Sequence, residues 1–303
     1  MASLGAASEP LPLSVLIEAA LLVSGTRPEE LDARRTSLAA IVHATSRKAN
    51  SSGSDAARAE AALDALYEGG ILRGYSANAT TLMDIMDRGA YNCVSSALLY
   101  LLVLRDMEMT CVGVKTSDHA FCLVRLAGRD IDVETTNHFG FDPGTKKDFT
   151  DAFGKATGYN YVPPGSYRKR EIIGERALLS LVLSNRSSQL EQKKRYTEAL
   201  SLGVSYAALR GDKEGRDFLL DRINNQAADY GAKKNWQGMR DLVAASRARL
   251  GDDPRLLKLA SEAADATISQ AIKTLPFADA LALVKEGATA GEIGKARRKE
   301  YLV

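Results

Sequence analysis

The sequence predicts an α+β fold in which an apolar helix packs on an antiparallel sheet and an all-helical region follows. The helix is predicted at residues 92–104, where Asn92 can cap it and apolar residues recur at helical spacing. Beyond residue 170, strand signals are missing and a helical pattern repeats. The sheet is predicted from three segments rich in β-branched residues, at 110–116, 119–126 and 130–136.

The chain is expected to begin with helices. Two amphipathic helices are predicted between Leu13 and Arg47, and Pro28 suits the first turn of the second. The small polar residues 49–55 form a linker before a further helix at 56–68. We therefore expect N-terminal helices at residues 1–55, a core domain at 56–168 and helical repeats at 169–303.

A hairpin connects the second and third predicted strands, with a two-residue turn at Ala127-Gly128. If the residues that flank this turn pair, Glu134 is a diagonal neighbour of His119 on one face of the sheet. Asp132 lies on that face too, but roughly 7 Å further along the strand. A shift of one residue would turn both acids to the other face, so the assignment depends on this register.

Cys93 follows the capping residue and is expected in the first helical turn. A thiol in this position lies at the positive end of the helix dipole, which favours the thiolate. Backbone N–H groups without helical partners could also stabilise an oxyanion formed in front of the sulfur. The alternative is a small buried cysteine without chemistry.

The chain contains three histidines, and His119 is the best candidate for a base because it begins a strand. His138 follows the acids in a loop and could line a cleft, but no strand orients it. His43 lies in an alanine-rich helical stretch far from Cys93 in the sequence. The order of Cys93, His119 and an acid is that of a cysteine nucleophile with its base and orienting carboxylate.

These segments together resemble the transglutaminase-like superfamily, a papain-like group that contains transglutaminases, bacterial cysteine proteinases and many uncharacterised bacterial proteins. The segments that carry the resemblance are YNCVSSALLY, SDHAFCLV and VETTN, within roughly residues 60–165. The resemblance implies a papain-like core, with the cysteine on a helix and the histidine and acid on adjacent strands. It maps the family's cysteine to Cys93, its histidine to His119 and its acid to Glu134.

The acid departs from the family's pattern. An Asp followed two residues later by Thr is usual, whereas here Glu134 precedes Thr136. Asp132 has the more usual side chain in a less suitable position and is therefore the second candidate.

The resemblance implies a cysteine-dependent acyl-transfer enzyme that acts on a peptide or protein. Hydrolysis by a peptidase or amidase is favoured over crosslinking, because most small bacterial proteins that resemble the family are not crosslinkers. Cys93 would attack the carbonyl carbon, His119 would carry the proton and Glu134 would orient the imidazole. The alternative is a non-catalytic scaffold of the same fold that binds a partner protein.

Several residues near Cys93 are candidates for substrate binding, and packing is the alternative role of the tyrosines. They are Tyr75, Tyr91, Asn92 and His138. The segment from residue 138 to 167 is rich in Gly, Pro and aromatic residues, and it is expected to form a wall or lid with a short helix near 149–153. Its candidate cleft aromatics are Phe139, Phe141, Tyr159 and Tyr161.

An internal repeat is present in the helical region. Residues 185–209 align with 225–249 at an offset of 40, so that Tyr196 matches Trp236, and a further copy matches Phe277. The pattern resembles tetratricopeptide-type repeats, although its period exceeds the usual ~34 residues. Such helix pairs stack into a solenoid, so a partner or substrate is expected to bind there. An irregular helical bundle is the alternative.

Composition excludes several classes of function. Hydrophobic residues form 45% of the 303 residues, and 40 basic and 38 acidic side chains give a formal net charge of +2. This balance, without interleaved basic and aromatic residues, indicates no nucleic-acid surface. No membrane span is expected, because the apolar stretch at 13–25 is short and contains Glu18.

Three cysteines are too few for a disulfide framework, and no Cys-x-x-Cys or His-x-x-x-His spacing indicates a metal site. No cofactor is expected. Two buried thiols are favoured over a cross-strand disulfide at Cys111 and Cys122. Residues 1–10 lack the basic start of a signal peptide. The expectation is an extracytoplasmic protein whose export signal has been removed, with a cytoplasmic protein as the alternative.

Overall fold

The computed structural model describes residues 10–51, 53–146, 155, 170–294 and 301. The chain divides into two compact units, which comprise Met1–Gln189 with Ala208–Gly211, and Leu190–Ala207 with Asp212–Val303. The predicted helix at 149–153 and the aromatic residues Tyr159 and Tyr161 lie outside the described residues.

The first unit begins with three helices, α1 (Leu13–Val23), α2 (Leu31–Ala49) and α3 (Asp55–Glu68). Pro28 starts a 3-10 turn, Pro28–Glu30, that leads into α2, as its fixed φ angle favours. Ser54 caps α3 by accepting a hydrogen bond from Ala57 N–H. The predicted N-terminal helices are therefore confirmed.

A short helix, α4 (Leu82–Arg88), and two parallel two-residue strands, β1 (Gly74–Tyr75) and β2 (Ala90–Tyr91), lead to the central helix α5 (Cys93–Asp106). Every residue of α5 from Cys93 to Leu104 is buried. A helix with apolar residues on every side is stabilised when other elements pack against every side. Accordingly α5 packs against α1, α2 and α3 and against the sheet described next.

The sheet consists of β3 (Cys111–Lys115), β4 (Ala120–Leu126), β5 (Arg129–Val133) and β6 (Glu171–Ile173) in the order β5-β4-β3-β6, with antiparallel pairing throughout. Leu126 pairs with Arg129, which confirms the predicted hairpin register. The described chain is thus a mixed α and β fold with many helices and a small antiparallel sheet.

Strand β6 corrects the prediction that strands are missing beyond residue 170. Its three residues are too few to show alternation, and pairing with β3 decides their conformation. Gly113 pairs with Ile173, and a Cβ at Gly113 would lie 2.9 Å from the Ile173 side chain. A glycine in β3 therefore makes room for the fourth strand.

The first unit extends past the predicted boundary at residue 168, because it runs to Gln189 and includes most of helix α6 (Glu175–Gln192). The Glu175 carboxylate accepts the Leu11 N–H at 2.6 Å and pairs with Arg105 at 3.1 Å. Further along α6, Asn185 donates to the Thr80 hydroxyl at 2.9 Å. Polar contacts at long sequence separation thus determine the boundary, and a local pattern cannot show them.

The helical region continues with α7 (Tyr196–Arg210), α8 (Lys213–Ala232), α9 (Trp236–Leu250), α10 (Pro254–Thr274) and α11 (Phe277–Thr289). Helices α8 to α11 pack in succession. The aligned residues Tyr196, Trp236 and Phe277 each begin a helix. Two of the preceding turns are alike, since Lys194 and Lys234 have φ angles of 58° and 55°. None of the helices among the described residues is long and apolar enough to cross a bilayer.

Candidate active site

Helix α5 begins at Cys93, and Asn92 caps its first turn. The Asn92 side-chain oxygen accepts the N–H groups of Val94 (2.9 Å) and Ser95 (3.1 Å). In return, the Ser95 hydroxyl accepts Asn92 N–H at 2.9 Å, which completes a capping box. Among the described residues no acceptor is seen for the Cys93 N–H, as is usual for the first N–H group of a helix.

Cys93 is 8% exposed, so its environment is largely protein. The sulfur lies at the positive end of α5, next to the unused Cys93 N–H. It also interacts with the His119 imidazole. A helix N-terminus and a neighbouring imidazolium both favour negative charge on a sulfur atom.

His119 immediately precedes β4, and a tight turn fixes its backbone. Its N–H donates to the Thr116 hydroxyl at 3.1 Å, and its carbonyl accepts Thr116 N–H at 2.9 Å. The His119 Nε2 atom lies 2.5 Å from Glu134 Oε2, and both side chains are buried. The structure therefore places His119 against Glu134, and Cys93 lies near enough to affect the pKa of the same imidazole.

The pKa of His119 is raised well above its ordinary value. Burial acts to lower this pKa, but the Glu134 carboxylate and the contact with Cys93 outweigh it. His119 therefore favours the protonated imidazolium form beside the Glu134 carboxylate. This is the charge state from which an imidazole can return a proton to a leaving group.

The second carboxylate oxygen of Glu134 also accepts hydrogen bonds. Oε1 accepts the Thr136 N–H at 2.9 Å and the Thr136 hydroxyl at 2.7 Å. The backbone around it is closed into a loop, because Glu134 N–H donates to the Gly140 carbonyl at 2.8 Å and Asn137 N–H donates to the Glu134 carbonyl at 3.3 Å. The position of the carboxylate is thus determined by three residues that are close in sequence, Thr136, Asn137 and Gly140.

Gly140 is essential to this loop, because a Cβ atom there would lie 1.8 Å from the Glu134 carbonyl oxygen. We predict that Gly140→Ala lowers the free energy of unfolding by about 3 kcal/mol or more, since a fixed backbone atom must move. Urea unfolding checks this value. Gly74→Ala is the matched control, with open space around its Cβ and an expected change within ~0.5 kcal/mol. Equal effects of the two substitutions would contradict the prediction.

Asp132, the second candidate acid, has a different partner. Its two oxygens accept hydrogen bonds from Arg170 at 2.8 Å each, and the Arg170 guanidinium also lies 5.4 Å from the centre of the Phe121 ring. Asp132 pairs across the hairpin with Leu123, which places it further from His119 along the strand. Glu134 is therefore the acid that contacts His119.

Two side chains that tie the site together were not identified from the sequence. Ser96 Oγ lies 2.8 Å from Thr135 Oγ1 and links the helix of Cys93 to the residue after Glu134. The Tyr67 hydroxyl donates to the Thr135 carbonyl at 2.8 Å, and burial raises the pKa of Tyr67, which keeps this donor protonated. Ser96 could have been identified from the sequence, because it is a polar residue inside an apolar helix. No sequence pattern around Tyr67 indicates its role.

The proposed substrate-binding residues fall into two groups. Asn92 and Tyr91 are buried and bonded within the protein: Asn92 Nδ2 donates to the Ala77 carbonyl at 3.1 Å, and the Tyr91 oxygen lies 3.2 Å from that of Tyr67. Tyr75 and His138 are partly exposed. The Tyr75 ring meets the Tyr91 ring edge-on, with centroids 6.0 Å apart.

His138 Nε2 lies 3.2 Å from Asp64 Oδ1, so His138 and His119 have separate carboxylate partners. Burial raises the pKa of Asp64, and the nearby His138 opposes that shift. His138 is therefore oriented by its own ion pair outside the contact between His119 and Cys93.

All three cysteines are free and buried, which confirms buried thiols at Cys111 and Cys122. Gly113 pairs with Cys122, which makes Cys111 its diagonal neighbour across β3 and β4. Burial, followed by the contact with Cys111, raises the pKa of Cys122 well above its ordinary value. These two thiols therefore differ from Cys93, which has an imidazole beside it.

The described residues contain no group of three or more His, Cys, Asp and Glu side chains arranged to hold a metal ion. The chemistry of the site depends on the thiol and backbone N–H of Cys93 at the start of α5, the imidazole of His119 and the buried carboxylate of Glu134. No family model, curated protein or solved structure matches the chain significantly, so the functional interpretation depends on this geometry.

Proposed function

We propose that this protein is a cysteine-dependent acyl-transfer enzyme of the transglutaminase-like type, acting as a peptidase or amidase on a peptide or protein. The observation that carries the proposal is the position of His119, which lies 2.5 Å from the Glu134 carboxylate and near enough to Cys93 for the sulfur to raise the pKa of its imidazole. A cysteine, a histidine and an acid in this order form the minimal unit for attack by sulfur on a carbonyl. A papain-like arrangement of α5 and the sheet is part of the proposal.

In the first step, the Cys93 thiol transfers its proton to His119, and the resulting thiolate attacks the carbonyl carbon of an amide. A sulfur–carbon bond forms, and the carbonyl oxygen becomes an oxyanion that the unused Cys93 N–H can stabilise. The carbon–nitrogen bond then breaks as His119 transfers its proton to the departing nitrogen. Glu134 keeps the imidazole oriented and supports its positive charge throughout.

In the second step, water attacks the thioester carbonyl while His119 accepts one of its protons. The carbon–sulfur bond breaks, the carboxylic acid leaves and the starting pair of Cys93 and His119 is restored. An amine in place of water would give transamidation by the same route. Hydrolysis is the simpler proposal, because it requires no second binding site.

The helical region is proposed to be tetratricopeptide-like and to bind a protein partner or substrate. The matching turns at Lys194 and Lys234 and the aromatic residues at the helix starts support this proposal. Two cavities of about 360 and 330 Å³ flank Trp236 within this unit and offer space for side chains.

A second candidate function is a non-catalytic scaffold with the same residues. The burial of Cys93, His119 and Glu134 favours it, since a substrate must gain access to the sulfur of a residue that is only 8% exposed. The two functions predict different reactivity of the Cys93 thiol.

Selective alkylation distinguishes the two functions. With iodoacetamide at pH 6, the enzyme function predicts that Cys93 reacts at least ~10²-fold faster than Cys111 or Cys122, because Cys93 alone lies at a helix tip beside an imidazolium. Peptide mass spectrometry at increasing times measures the three rates separately. In the Cys93→Ser variant the rapid phase is expected to disappear. Slow labelling of all three cysteines at similar rates would support the scaffold.

A further inference from the structure

Three near-parallel rings extend from the candidate site to the surface of the first unit. The His138 ring stacks on that of Tyr67, with centroids 5.3 Å apart and planes at 19°. It also stacks on Phe139, with centroids 4.8 Å apart and planes at 17°. Tyr67, His138 and Phe139 are called the ring stack here.

The inner end of the ring stack is attached to the candidate site. The Tyr67 hydroxyl donates to the carbonyl of Thr135, the residue after Glu134. The Tyr67 ring also meets the Tyr91 ring edge-on at 6.0 Å, and Tyr91 lies two residues before Cys93. A group bound to the outer end would therefore stack on rings that are attached, through Thr135 and Tyr91, to the segments that carry Glu134 and Cys93.

The outer end is an exposed aromatic ring on a hydrogen-bonded loop. Phe139 is 69% exposed, although a large apolar side chain gains free energy by burial. Its N–H donates to the Asn137 side chain at 2.8 Å, and its carbonyl accepts from the Lys146 ammonium. The same loop is closed between Glu134 and Gly140. The loop thus holds the Phe139 ring in place with one side of the stack open.

The charge next to this ring indicates what it can bind. The ammonium of Lys146 lies at the Phe139 backbone, which disfavours a cationic guest on the ring. The carboxylate of Asp64 is directed at His138 in the middle of the stack, not at the outer ring. An uncharged planar group is therefore favoured, since aromatic rings gain about 0.5–1.5 kcal/mol from stacking beyond the area that they bury.

We infer that the ring stack is a subsite that binds an aromatic side chain of the peptide substrate on the open face of Phe139. This inference rests on the proposed function, because it assigns the substrate class of the same site. Phe139 acts as a specificity-determining residue, while Tyr67 and His138 support its ring from behind.

Peptidyl chloromethyl ketones that alkylate Cys93 test the inference. The probes are acetylated dipeptides with Phe, Leu, Arg or Ala placed next to the reactive group, and a second set with these residues one position further away. The second-order rate of each probe is divided by that of iodoacetamide, which carries no side chain. We expect at least one set to show a tenfold or greater preference for Phe over Ala in the intact chain.

The Phe139→Ala substitution is expected to reduce this preference about tenfold, and Phe139→Leu to reduce it less, because leucine keeps apolar area but has no ring. Phe277→Ala is the matched control, since Phe277 is also highly exposed but lies in the helical unit, and it should leave the preference unchanged. A preference for Arg over Phe, or a preference for Phe that persists in Phe139→Ala, would overturn the subsite.

The alkylation rates also distinguish failure of the proposed function from failure of the subsite. Slow reaction of Cys93 with iodoacetamide in the intact chain would overturn the nucleophile and the subsite together. Rapid reaction with iodoacetamide, combined with equal relative rates for all peptide probes, would overturn the subsite alone.

Discussion

Replacing His119 by glutamine is expected to slow the alkylation of Cys93 by iodoacetamide at pH 6 by roughly 10²-fold. Glutamine keeps a hydrogen-bonding side chain next to Glu134 but carries no positive charge. The Cys93 sulfur would then lose the imidazolium beside it and retain only the helix N-terminus. Rates measured by mass spectrometry of the peptide that contains Cys93 check the prediction.

His43→Gln is the matched control for this experiment. His43 also pairs with a carboxylate, since its Nδ1 atom lies 2.7 Å from Asp106, but its side chain is largely exposed and contacts α5 at the end opposite Cys93. Its substitution should leave the alkylation rate within about twofold of the starting value, as expected for a residue outside the site. If His119→Gln and His43→Gln behave alike, the imidazole of His119 has no influence on the sulfur.

Replacing Glu134 by alanine is expected to lower the free energy of unfolding by about 3–5 kcal/mol at pH 6. The substitution leaves a buried imidazolium without its carboxylate, and the Thr136 N–H and hydroxyl lose their acceptor. Urea unfolding followed by the near-ultraviolet circular dichroism of the buried tyrosines measures the change.

Glu68→Ala provides the comparison, because Glu68 also pairs with a cation but is exposed. Its carboxylate lies 2.7 Å from the Lys48 ammonium. Water screens an exposed pair of this kind, so its contribution to the free energy of unfolding is small. An effect of Glu134→Ala that is no larger than this would mean that the buried pair does not hold the site together.

The decrease in the free energy of unfolding caused by Glu134→Ala should also depend on pH, because Glu134 raises the pKa of His119 in the folded chain. A group with a raised folded pKa contributes stability that is complete below its unfolded pKa, about 6.5 for histidine. This contribution is lost as the pH rises through the folded pKa. The difference between the intact chain and Glu134→Ala is therefore largest near pH 6 and shrinks in alkaline solution, and the same urea series repeated across pH measures the trend.

The register of the hairpin is a tertiary feature that local sequence patterns predict. The two-residue turn at Ala127-Gly128 determines which residues are opposite one another, and the observed pairing is the predicted one. This register made Glu134 the neighbour of His119, and the contact at 2.5 Å agrees with it. Turn chemistry and alternation are local properties, so the sequence alone could indicate this pair.

The role of Asp132 could be identified only from the tertiary structure. Its partner Arg170 lies far along the chain and approaches through the pairing of β6 with β3. A three-residue strand carries too little periodicity to be predicted. The bidentate ion pair, and with it the separation of Asp132 from the site, therefore became apparent only in the folded chain.

The sequence by itself determined the capped helix that begins at Cys93, the hairpin that carries His119 and Glu134, and the helical character of the chain beyond residue 170. Each of these features depends on residues that are near neighbours in the chain. Only the tertiary structure decided that Tyr67 and Ser96 fix the Thr135 segment, that α6 belongs to the first unit and that His138 joins Tyr67 and Phe139 in a ring stack. The physical reason is that contacts between distant segments depend on how elements pack, which local propensity does not encode.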